Sequence, residues 1–159
     1  MRQIISRIGL EVNQEKTQII DLEAKGHFDL LGYTIGTFVN KDGDNYKGTR
    51  PSKKSLKKVV KKIRHETSRR WLLSTAEIRV CAINRILRGW CGYFNQGPVL
   101  PSYKVLRRYT EKRFRRWLVN KHKIRGTTGY RQFPDEFLYN QLGLYKIAEV
   151  IADVPRAKA

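Results

Sequence analysis

Lys53, Lys54, Lys57, Lys58, Lys61, Lys62 and Arg64 crowd one short stretch in which the first acid is Glu66. At helical spacing Leu56, Val59, Val60 and Ile63 make an i, i+3, i+4, i+7 apolar stripe, which leaves the cations on the outer face. A helix face that only has to be solvated interleaves acids with bases, because opposite charges at i, i+4 support the helix and like charges oppose it. This stretch does not, and the chemistry it suits is contact with the phosphates of a polyanion. A second set repeats the pattern. Tyr103, Leu106, Thr110, Phe114 and Trp117 supply an apolar side, while Lys104, Arg107, Arg108, Lys112, Arg113, Arg115 and Arg116 widen into a basic one interrupted only by Glu111. Lys121 and His122 extend it. His122 reads as a phosphate or core contact, since no carboxylate or nucleophile stands where it would serve as a base.

A third candidate face lies on Ile83–Phe94. Ile83, Leu87, Trp90 and Phe94 fall on one side of a helix, with Asn84, Arg85 and Arg88 clustered on another. The first four are expected in the core and the arginines on the ligand side. Gly89 and Gly92 bracket Trp90, and each costs a helix roughly 1 kcal/mol against alanine, so close helix packing or approach of a ligand backbone is expected there.

Composition narrows the partner. The 159 residues make one ordinary domain, or one domain with an appendage, and a hydrophobic fraction of 40% is enough for a core. A formal charge of +19 and a pI near 10.3 imply self-repulsion that a polyanion would screen, nucleic acid first and an anionic membrane second. No apolar run approaches the roughly 18 residues of a spanning helix, and Met1–Arg7 has no signal-like apolar core. A soluble intracellular protein without membrane partner is the expectation. Cys81 and Cys91 lie roughly 15 Å apart along one predicted helix, too far to bridge, and are expected to be reduced thiols. His27, His65 and His122 lack Cys/His ligand spacing, so no metal bound by the chain's own residues is expected.

The elements that position these residues follow in order. Met1–Leu10 reads as a short amphipathic helix closed at Gly9, Glu11–Thr17 as a polar turn, and Thr17–Leu22 as a strand. Phe28–Gly36 alternates as one strand with Gly32 in its interior, a bulge or a place where another backbone approaches closely. Asp42-Gly43 turns a hairpin between Thr37–Val39 and Asn45–Lys47. The period changes from two to about 3.6 at Thr49–Ser52, where Ser52 is the expected N-cap of the first basic helix. Arg69–Leu73 ends or links that helix. Ser74–Glu77 has a capping-box pattern opening a helix to about Phe94. Pro101-Ser102 starts the third long helix, ending near Asn120–Lys123. Gly126–Phe133 reads as a flexible basic loop, followed by a short helix stopped at Gly143 and an apolar segment, Tyr145–Val154, that would cap the bundle as strand or helix.

These residues resemble the group II intron reverse transcriptase and maturase proteins. Leu10–Thr17, with Asn13, Lys16 and Thr17, is similar to the last palm segment of such enzymes. Phe28-Asp29-Leu30-Leu31-Gly32-Tyr33 is similar to the palm hairpin that holds the primer end, so Phe28, Leu30, Leu31, Gly32 and Tyr33 become primer-grip-like positions. Arg50–Ser55, Asn84–Phe94 and Arg115-Arg116-Trp117 with His122 resemble the maturase domain, also called domain X or thumb.

The resemblance implies an α+β fold: a small N-terminal antiparallel β element with a helix, a palm remnant, at 1–48, then a mainly helical, thumb-like three-helix bundle at 49–125. A basic loop and C-terminal extension would occupy 126–159. A reverse transcriptase needs paired metal-binding aspartates, and no adjacent Asp pair occurs here. The chain therefore looks like a C-terminal remnant, split half or fragment, inactive alone as a polymerase, with no cofactor of its own; Mg2+ would serve the full polymerase or the ribozyme. The function implied is a maturase that binds structured intron RNA through phosphates and shape, with Tyr93 or Trp71 stacking on an exposed base. Two alternatives stay open. One is the thumb and primer-grip part of a reverse transcriptase, clamping an RNA/DNA template–primer and needing a separate palm and fingers chain; the weaker is a basic DNA-binding module of a mobile element. Bacterial cytoplasm, or an organelle of a eukaryote, is the compartment implied.

Overall fold

The computed structural model describes residues 26–39, 43–126 and 129–147. The expected helix at 1–10, the turn carrying Asn13, Lys16 and Thr17, the strand at 17–22 and everything past Ile147 lie outside the described residues. What is described is α+β. A meander of three antiparallel strands, β1 (His27–Leu30), β2 (Tyr33–Val39) and β3 (Asn45–Pro51), leads into helices α1 (Lys53–Glu66), α2 (Ala76–Tyr93) and α3 (Leu100–Lys121). The short helix α4 (Gly129–Gln132) and a wide helical turn at Phe137–Gln141 follow.

The predicted hairpin is present, with Val39 paired to Asn45 and Tyr33 to Pro51. The strand expected to run unbroken through Gly32 is instead two strands. Leu30 pairs with Tyr33, and Leu31 and Gly32 form the two-residue turn between them with φ of 50 and 85. Both positions of such a turn take positive φ, which matches the right-handed twist of the strands. Alternation of apolar residues continues across a two-residue turn, so the pattern alone could not mark it. A Cβ on Gly32 would also lie 3.1 Å from the Phe94 ring. Only glycine meets both conditions.

This turn is fastened at two places. The Ser52 amide donates to the Gly32 carbonyl at 2.8 Å, at the entrance to α1, and the Tyr93 hydroxyl donates to the Leu31 carbonyl at 2.8 Å, at the exit of α2. Tyr33 answers by donating its hydroxyl to the Tyr93 carbonyl at 2.7 Å, and its ring lies 4.9 Å from that of Phe94.

Each long helix starts where its cap allows. Ser52 is buried with extended backbone and accepts from the Ser55 amide. In α2 the cap is Thr75, which accepts from the Ile78 amide, so the capping-box register expected at Ser74 moves by one residue. The stripes named from periodicity meet in one core: Val59 and Ile63 of α1, Ile83, Leu87 and Trp90 of α2, and Tyr103, Leu106, Phe114 and Trp117 of α3 are buried, with Phe94. Tyr103 closes α2 by donating to the Cys91 and Phe94 carbonyls at 2.9 and 2.8 Å. Burial pushes the Cys91 thiol up to about 11, which keeps it protonated near neutrality, and Cys81 is an exposed free thiol.

After α3 the loop expectation fails, since Gly129–Gln132, part of the predicted flexible loop, is helical. Phe133, Leu138, Leu144 and Ile147 join the core, Ile147 within the apolar segment expected to cap the bundle. Asn84 holds this segment, its amide donating to the Gly143 carbonyl and its oxygen accepting from the Tyr145 amide, both at 2.8 Å.

Candidate nucleic-acid interface

Lys53, Lys54, Lys57, Lys58, Lys61, Lys62 and Arg64 are all exposed, and none of their side chains has a hydrogen bond or ion pair with another described residue. The pairs Lys53/Lys57, Lys54/Lys58, Lys57/Lys61 and Lys58/Lys62 sit one turn apart, where like charges cost a few tenths of a kcal/mol each. The first turn of α1 holds lysines and no acid, against the sign its dipole favours. A helix so arranged is opposed by its own charge and relieved by a polyanion. Arg85 of α2 and Lys104, Arg108, Lys112 and Arg116 of α3 are likewise exposed and unpaired among the described residues.

Other cations named from the sequence have partners within the protein. Arg115 is the clearest correction. It is 8% exposed, donates from Nε to the Phe133 carbonyl at 2.7 Å, pairs with Asp135 and lies 4.1 Å from the centre of the Tyr130 ring. Periodicity put it on the outer face of α3, and the segment 129–147 covers that face there. Lys121 donates to the Leu72 and Ser74 carbonyls at 3.1 and 2.8 Å, tying the end of α3 to the α1–α2 linker. Arg107 faces Glu111 at 3.6 Å, and Arg88 lies over the Tyr145 ring at 5.5 Å. The exposed His122 ring is 5.6 Å from that of Phe133.

Two further cations were not singled out for the structural work they do. Arg113 donates to the Thr67 hydroxyl and carbonyl, both at 3.2 Å, closing the carbonyl end of α1. Arg79, 8% exposed, donates to Glu66 at 2.8 Å and covers Trp71 at 4.4 Å. No local signal separates these from their exposed neighbours, because each is fixed by a partner distant in the chain. Arg115→Ala should therefore lower stability by about 1–3 kcal/mol, since it strands the Phe133 carbonyl and frees Asp135. Chemical denaturation checks it; unchanged stability would return Arg115 to the outer surface.

The primer-grip-like residues form the tip of the β1–β2 hairpin. Leu30 and Leu31 are exposed, Phe28, Gly32 and Tyr33 are half-buried, and a shallow 220 Å³ hollow lies between the tip and Tyr93. A larger groove of 580 Å³ runs between α1 and α2, lined by Lys58 and Lys62 on one side and by Arg85, Gly89, Trp90 and Tyr93 on the other. Neither Gly89 nor Gly92 is a helix contact among the described residues, where a Cβ at either meets no atom of a neighbouring element within 4 Å. Among the described residues no three His, Cys, Asp or Glu side chains gather as metal ligands. No helix among them is long and apolar enough to cross a membrane.

These features define a class: an α+β module whose helices turn apolar stripes inward and acid-poor basic faces outward. Residues 56–133, from the first turn of α1 to Phe133, match the family model of the group II intron, maturase-specific domain. The match places residues 56–133 in that family and supports a C-terminal part of a group II intron maturase. No curated protein matches the chain.

Proposed function

We propose that this chain binds structured intron RNA and stabilises its folded, splicing-competent form, gripping phosphates with the outer faces of α1 and α3 and leaving the chemistry to the RNA. The observation that carries this reading is the seven-cation face of α1, exposed and without a partner among the described residues. Double-helical RNA hides its base edges in a deep, narrow groove, so a rigid basic helix surface reads its shape and backbone. Mg2+ belongs to the RNA in this scheme, and the compartment is the one in which the intron is transcribed. No separate observation favours the template–primer clamp or the DNA-binding module.

Salt dependence tests the proposal. With six or more phosphate contacts, affinity for intron RNA should fall by about a thousandfold or more between roughly 50 and 200 mM salt. Filter binding across that range measures it, and a nearly flat response would rule out the phosphate grip.

A further inference from the structure

The groove between α1 and α2 combines two characters, cationic rims and aromatic walls. Its rims carry Lys58, Lys62 and Arg85, exposed and unpaired among the described residues. Its walls are apolar and aromatic, with Ile86, Trp90 and Tyr93. A surface that met only phosphate would need the cations and not the walls. The 580 Å³ of the groove falls within the roughly 300–1,000 Å³ of clefts that hold small ligands.

Gly89 lines this space, and a Cβ there meets no protein atom within 4 Å. Its absence therefore serves no packing among the described residues, while it costs the helix stability; what it provides is room. Tyr93 is 54% exposed yet held: its hydroxyl donates to the Leu31 carbonyl at 2.8 Å, and its ring meets Phe94 edge-on at 4.7 Å. A half-exposed ring fixed in this way is a stacking platform whose ordering cost is already met by the fold. Trp71, the other candidate for stacking, is occupied by Arg79 across its ring. The indole N–H of Trp90, a buried residue lining the groove, has no acceptor among the described residues.

We infer that the α1–α2 groove receives one unpaired nucleotide extruded from the bound RNA, its base entering over Gly89 against Tyr93, with Lys58, Lys62 and Arg85 on the flanking phosphates. This deepens the RNA-binding reading and rests on it. Cations beside an aromatic platform fit a nucleotide as a unit, since every base has a face to stack and every linkage a charge. A fully paired helix has no free base to insert, so the groove would distinguish RNA with a bulge or open loop from plain duplex.

Two RNA duplexes of equal length, each annealed from two strands, test this at one salt concentration, one fully paired and one with a single-nucleotide bulge carrying 4-thiouridine. The native chain should bind the bulged duplex about tenfold tighter, the scale of one base stacked on an aromatic ring, and irradiation should crosslink the bulge to the Gly89–Phe94 peptide. Gly89→Leu should keep or raise its thermal midpoint, since the glycine is what costs the helix, and keep its affinity for the paired duplex while losing both the preference and the crosslink. Equal affinity of the native chain for both duplexes, or a preference that survives Gly89→Leu, overturns the base site and leaves the phosphate grip standing. Failure to bind either duplex removes the RNA-binding reading itself.

Discussion

Trp90→Ala is expected to remove about 3–5 kcal/mol of unfolding free energy, a large share of the about 5–15 kcal/mol that holds a domain of this size. The Trp90 ring lies 4.8 Å from Phe94 and 5.8 Å from Tyr103, and Phe94 in turn lies 4.9 Å from Tyr33 of β2. One side chain thus joins α2, α3 and the sheet. Its indole N–H has no acceptor among the described residues, so truncation loses packing and burial and strands no partner. The loss should appear in both thermal and denaturant unfolding, with the sheet and the helices melting together. A cost below about 1 kcal/mol would mean that the three elements do not share this core.

The second large effect leaves the fold alone. Changing Lys57, Lys58, Lys61 and Lys62 together to Gln should weaken intron RNA binding by on the order of a hundredfold or more at moderate salt, and make the salt slope shallower by about four. Stability should hold or rise, because the like-charge pairs Lys57/Lys61 and Lys58/Lys62 disappear and none of the four is bonded to another described residue. Arg113 and Arg115 supply the contrast, since their loss should act on folding first. An unchanged salt slope in the fourfold variant would move the RNA to another face, and a drop in stability would mean that these lysines support the fold.

What could be read from the chain followed the range of the forces involved. Ser52 as a cap, the stripes of α1, α2 and α3, and the hairpin around Gly43 are set by neighbours within a few residues, and all are found in place. The alternation at Phe28–Gly36 was legible and its turn was not, because Leu31 adopts the left-handed region that sequence assigns to glycine or asparagine. The sorting of cations was the least legible part. Lys112 and Arg115 look alike in sequence, and only the return of residues 129–147 over α3 makes one a solvent charge and the other an internal strut. A helix-interior glycine marks Gly89 as unusual, but the space beside it is bounded by α1, whose angle to α2 no local pattern encodes.

The turn at Leu31-Gly32 holds the entrance of α1 with one hydrogen bond and the exit of α2 with another. These are the two helices that border the groove, so the hairpin acts as a clasp across one end of it. The other end is pinned by Lys121 on the linker carbonyls and by Arg113 on Thr67. Widening the groove requires breaking a fastening at one end or the other. Any pull on β1 is felt first at the clasp, which makes the sheet a mechanical gauge of the spacing between α1 and α2.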